Sequence, residues 1–130
     1  LSIVNVDKPL LDYTEIEERL SQFEAPVWLT RLPTFVEKAR YFPGAHFAVG
    51  VDTVIRITEA AYYGSQADRD AALDELDHLS TRFIVFGRDL NGSFQTLSDL
   101  ELPATFRTLC REVTKAEFNE PISSTEIRQL

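Results

Sequence analysis

Apolar positions along the chain gather in two kinds of cluster, and the two kinds alternate. Short, mostly apolar runs occupy residues 3–6, 27–30, 46–50 and 83–86. Runs of this length bounded by Pro, Gly and Asp read as strands, and the later ones lack the alternation of a half-exposed sheet, as strands buried on both faces do. Between them, apolar residues recur at helical spacing: Ile16, Leu20 and Phe23; Ile55, Ile57 and Tyr62; Leu73, Leu76 and Leu79; Phe106, Leu109 and Cys110. Asp12 stands three residues before Glu15, and Thr34 three before Glu37, the spacing of a capping box. Asp52 is read as the cap of the third helix, with Gly64 as its stop, and Pro103 as the start of a later one. The polar stretch 87–93 reads as a mobile loop, 113–118 as a weak strand, and Ser123 to Glu126 as the opening of a last helix.

Strands separated by helical segments imply βαβ units, and therefore an α/β fold with a parallel, Rossmann-like sheet. Right-handed crossovers are expected to place helices on both of its faces. No repeat, low-complexity tract or linker interrupts residues 1–130, so a single domain is expected. In such sheets ligands bind beyond the carboxyl ends of the strands, which directs attention to the segments 7–9, 30–34, 50–53 and 87–89.

Composition narrows the partners. Thirteen Lys and Arg against twenty-one Asp and Glu give a net charge of −8, and without a basic block no nucleic-acid partner is expected. No run approaches the ~18 apolar residues of a membrane span, so no membrane partner is expected either. Cys110 is the single cysteine, placed in a helical context as a small buried hydrophobe, and a cytoplasmic or otherwise reducing compartment follows. The acidic run Asp68, Asp70, Asp74, Glu75 and Asp77 reads as a solvated helix face, since the glycine and ligand spacing of a calcium loop is missing. The sequence has no methionine and opens on Leu1-Ser2 directly before the run 3–6, so it is expected to begin inside a longer protein.

The densest chemical signal is Pro121-Ile122-Ser123-Ser124-Thr125-Glu126-Ile127-Arg128. Three hydroxyl residues open a helix whose first N–H groups lack partners, and Arg128 follows one turn later. That combination suits a polyphosphate. A plain capping box, Ser123 with Glu126, accounts for the same spacing.

The Ile-Ser-Ser-Thr-x-Ile-Arg stretch resembles the C-terminal motif of the nucleotidyltransferases related to nicotinate-mononucleotide adenylyltransferase, in the cytidylyltransferase-like superfamily. Phe47-Ala48-Val49-Gly50-Val51-Asp52-Thr53 is similar to that family's hydrophobic strand ending in Gly-x-Asp, and Phe83-Ile84-Val85-Phe86-Gly87-Arg88 to its later strand ending in arginine. The resemblance implies that Ser123, Ser124, Thr125 and Arg128 hold phosphates and that Gly50 and Asp52 line a nucleotide pocket. It places Thr30, Arg31, Lys8 and Arg88 on the acceptor side. It also implies a nucleoside triphosphate, ATP or CTP, bound with Mg²⁺, and a phosphorylated small-molecule acceptor. The implied reaction is nucleotidyl transfer with release of pyrophosphate, by positioning and charge neutralisation.

The family's N-terminal Gly-x-Phe-x-Pro-x-His-x-Gly-His does not occur in this sequence. Phe42-Pro43-Gly44-Ala45-His46 lacks the second histidine, and His46 and His78 are read as structural or surface residues. No catalytic residue and no protein metal ligand is therefore assigned. The resemblance further implies that the central strand of the sheet lies outside these residues, with a second chain or a missing segment completing it, so that the 130 residues alone are expected to be inactive. A catalytically inactive, nucleotidyltransferase-like binding or assembly subunit is the other reading.

Overall fold

The structure, a computed structural model, describes residues 10–114; Lys8 and the whole Ser123–Arg128 motif lie outside the described residues. The described chain divides into two compact units, 10–42 and 43–114.

In the first unit, α1 (Tyr13–Leu20) starts where the sequence signals it. The Asp12 carboxylate accepts from the Glu15 N–H at 2.8 Å, and Glu15 accepts from the Asp12 N–H at 3.0 Å. In α2 (Phe35–Tyr41) Thr34 and Glu37 make the same reciprocal pair, satisfying N–H groups that a helix start otherwise leaves open. The expected strand at 27–30 does not form; only Thr30 makes an isolated bridge. An apolar run becomes a strand only where a neighbour completes its ladder, and here Trp28 instead sets its ring edge-on to Phe42, with centroids 5.8 Å apart.

The second unit is built on three parallel strands, β1 (His46–Gly50), β2 (Arg82–Phe86) and β5 (Cys110–Val113), in the order β1-β2-β5. The register pairs Phe47 with Phe83, Val49 with Val85 and Gly50 with Phe86, while Phe83 also faces Cys110. Helices α3 (Val51–Thr58) and α4 (Gln66–His78) carry the chain from β1 to β2, and the short α5 (Ala104–Arg107) precedes β5. Both crossovers step the same way across the sheet. Strand β1 is not buried on both of its faces as its apolar run suggests: Val49 is buried, whereas His46 and Ala48 are exposed. Phe106 of α5 packs on Phe83 with ring centroids 5.1 Å apart, and both are fully buried with Val51, Val54, Leu73, Leu76 and Val85. Each such side chain contributes roughly 1.5–3 kcal/mol by leaving water. The result is a mixed α/β unit whose parallel sheet is flanked by helices.

Five local expectations are corrected. Asp52 is not the cap of α3: Gly50 is, with extended φ −86°, and Asp52 sits one position inside the helix. The chain turns into α3 directly from the end of β1, which leaves no room for a separate cap. The helix also stops at Thr58 rather than near Gly64, and Tyr62 falls in a 3-10 turn, Ala60–Tyr62. The Tyr63 hydroxyl donates to Ile57 O at 2.6 Å and Arg69 to Thr58 O at 3.2 Å, filling carbonyls at that early end. The stretch 87–93 is no mobile loop but most of a β-hairpin, β3 (Arg88–Leu90) and β4 (Ser93–Gln95). Asn91 and Gly92 form its two-residue turn with φ of 53° and 82°, the backbone of a type I′ turn. Cys110 lies in β5, not in a helix; pairing with β2 outweighs the helical spacing that links it to Phe106 and Leu109. Of the strand expected at 113–118, β5 includes only Val113, Thr114 is outside it, and 115–118 lie outside the described residues.

Candidate functional site

The parallel pairing of β1 and β2 sets Gly50 beside Phe86 at the carboxyl ends of both strands. Beyond Gly50 the chain enters α3; beyond Phe86 it passes Gly87 into the hairpin that begins at Arg88. Three residues singled out in the sequence therefore meet at one point. A Cβ built on Gly50 would stand 2.5 Å from Asp52 Oδ1 and 3.2 Å from Arg88 Cγ. No side chain could be added at Gly50 without displacing the carboxylate, so glycine is required here by close approach rather than by its φ.

The polar groups around Gly50 are under-used. Asp52 Oδ1 is buried and accepts no hydrogen bond, although such groups are almost always paired. Gly50 supplies no side-chain cap to α3, so the helix presents its first N–H groups without that partner. Arg88 is half-buried alongside, and among the described residues its guanidinium forms no salt bridge. The site therefore offers an acceptor oxygen, a cation and a helix start beside bare backbone. Together these can receive a ligand carrying both hydroxyl donors and negative charge.

Sequence reasoning missed how Arg88 is held. A Cβ on Gly87 would meet Phe94 Cζ at 2.6 Å and Gln95 O at 2.9 Å, so the hairpin folds tightly over Gly87 and fixes the start of β3. Asn91-Gly92 between two strand-forming stretches was the available signal.

Thr30 and Arg31 belong to the first unit; Thr30 Oγ1 is buried without a hydrogen-bond partner, and Arg31 is exposed. His46 opens β1 at the end opposite Gly50, and His78, exposed at the end of α4, sets Nδ1 2.9 Å from Asp74 O. The acidic residues of α4 are solvent-facing apart from half-buried Glu75, while Leu73 and Leu76 are buried. Burial pushes the Cys110 thiol up to about 11, against the opposing charge of Arg107, and the thiol donates to Phe106 O at 3.4 Å. A protonated thiol held this way is no nucleophile. Among the described residues no three His, Cys, Asp or Glu side chains group as metal ligands, and no helix is long and apolar enough to cross a membrane. A separate groove of about 380 Å³ between α4 and the start of α5 is lined by Arg69, Asp70, Leu73, Asp74, Pro103 and Thr105, and shares no residue with the Gly50 site.

No protein-family model, curated protein or solved structure matches the chain.

Proposed function

We propose that this chain is a nucleotidyltransferase-like domain that binds a nucleoside triphosphate, ATP or CTP, beyond the carboxyl ends of β1 and β2. In the complete protein it would transfer the nucleotidyl group to a phosphorylated or nucleotide acceptor with release of pyrophosphate. The observation that carries this reading is the convergence of Gly50, Asp52 and Arg88 where a parallel sheet accepts ligands. The close packing at Gly50 sets Asp52 and Arg88 side by side; Asp52 Oδ1 accepts a ribose hydroxyl, and Arg88 faces negative charge on the nucleotide or acceptor. Ser123, Ser124, Thr125 and Arg128 complete the reading as the phosphate-binding segment, and Thr30, Arg31 and Lys8 as the acceptor side.

Mg²⁺ would enter with the triphosphate and neutralise part of its charge. That ion is ordinarily held largely by phosphate and water oxygens, and no residue of this chain is assigned to it. The reading also sets a further, central strand beside β1, whose outer edge has no strand partner among the described residues.

Calorimetric titration of the full chain with ATP and CTP in the presence of Mg²⁺ tests this, with Asp52→Ala, Arg88→Ala and Arg128→Ala in parallel. Binding of at least one nucleotide is expected, weakened by each substitution. No binding by the folded protein, or binding indifferent to all three, overturns the reading. Pyrophosphate release is measured separately: nucleotide binding without it, in the protein that carries every segment, assigns the chain to the inactive binding or assembly subunits.

A further inference from the structure

We propose that Asn91 is a site of spontaneous covalent modification, cyclising with Gly92 to a succinimide that opens to aspartate and isoaspartate. The inference is independent of any nucleotide. Of the three asparagines in the sequence, Asn5 precedes Val6 and Asn119 precedes Glu120; Asn91 alone precedes glycine. The structure sets Asn91-Gly92 at the exposed tip of the β3–β4 hairpin. Both residues are exposed, and nothing lies within 4 Å of where a Gly92 Cβ would stand, so no neighbouring side chain crowds the turn. Among the described residues no hydrogen bond occupies the Asn91 carboxamide or the Gly92 N–H.

The chemistry balances without any other group on the protein. The Gly92 amide nitrogen gives up its proton to solvent and attacks Asn91 Cγ; the bond from Cγ to the side-chain Nδ2 breaks, and Nδ2 takes a proton from solvent and leaves as ammonia. Water then adds to one of the two imide carbonyls. Opening at Cγ regenerates the ordinary backbone as aspartate; opening at the α-carbonyl routes the main chain through Cβ and Cγ as isoaspartate.

The structural consequence follows from the turn. A two-residue type I′ turn matches strand twist only with its own backbone length and two positive φ values. Isoaspartate inserts a methylene into that turn and adds a negative charge two residues from Asp89. The pairs Arg88–Gln95, Asp89–Phe94 and Leu90–Ser93 then lose their common register, and with it the element that fixes Arg88. The modification thus acts as a chemical clock on the hairpin.

The test incubates the full folded chain in mildly alkaline buffer beside a synthetic peptide spanning 88–95. Conversion is followed by peptide mass spectrometry, and isoaspartate by enzymatic carboxyl methylation. Asn91 is expected to convert on the timescale of the free peptide while Asn5 and Asn119 persist, and hydrogen-exchange protection of the β3–β4 amides is expected to fall in step. Asn91→Gly, which keeps a turn compatible with two positive φ values, should keep its protection over the same period. Asn91 surviving intact in the folded chain while the peptide converts overturns the proposal; so does equal loss of protection in Asn91→Gly.

Discussion

Gly50→Ala separates the requirements of the fold from those of the site. The backbone at Gly50 has φ −86°, which any residue adopts, and losing a glycine stabilises the folded state by about 0.4–1 kcal/mol through the unfolded chain. Against that stands the new methyl, which would lie 2.5 Å from Asp52 Oδ1 and 3.2 Å from Arg88 Cγ. The nearer atom is the end of a short side chain, so the clash resolves by turning the carboxylate, at about 0.5–1.5 kcal/mol for an off-rotamer angle. The two effects nearly offset, and the melting temperature should change little. Binding should not escape. On the proposed reading, an Asp52 turned away would forfeit a charge-assisted hydrogen bond to the nucleotide, about 1.5–3 kcal/mol, a roughly 10- to 150-fold loss of affinity. Calorimetry with ATP and CTP, alongside a thermal melt of the same preparation, reads both quantities. Parent affinity in a folded Gly50→Ala protein would refute the reasoning, because the methyl cannot coexist with the present Asp52 position.

Three further predictions follow from buried or partnered groups. Thr81 is fully buried with no hydrogen-bond partner for its hydroxyl, so the near-isosteric Thr81→Val should stabilise the protein by about 1–3 kcal/mol; urea unfolding followed by circular dichroism should order the variants Val, Thr, Ser, and a less stable valine would show that the hydroxyl is paired. The Cys110 thiol, raised by burial to about 11, should resist alkylation at neutral to mildly alkaline pH until denaturant is added; fast labelling of the native protein would contradict its placement. The Ser98 N–H, with the Thr96 and Ser98 hydroxyls, holds the Glu112 carboxyl below its usual range. A depressed carboxyl contributes stability above its unfolded value and loses it as pH falls through the folded one. The acid limb of a stability profile should therefore be shallower in Glu112→Gln, and an identical limb in both proteins would discount these bonds.

Much of the local structure was legible because its determinants are neighbours in sequence. Asp12 with Glu15 and Thr34 with Glu37 start their helices as their spacing says, and the runs 46–50 and 83–86 form strands in which β-branched and aromatic residues, Val49, Phe83 and Val85, supply the buried positions. Asn91-Gly92 carried an equally local signal for a hairpin. Other features depended on what lies alongside. The stretch 27–30 has a strand's composition but forms only an isolated bridge at Thr30, and Cys110 keeps helical spacing with Phe106 yet pairs in register with Phe83. The site divides the same way. Sequence alone marked Gly50, Asp52 and Arg88 as separate positions of suitable chemistry. Their meeting was decided by the parallel register that sets Gly50 beside Phe86, and by the hairpin folded over Gly87, since only contacts between distant segments can bring a carboxylate from one strand end and the stem of an arginine from the next to one glycine.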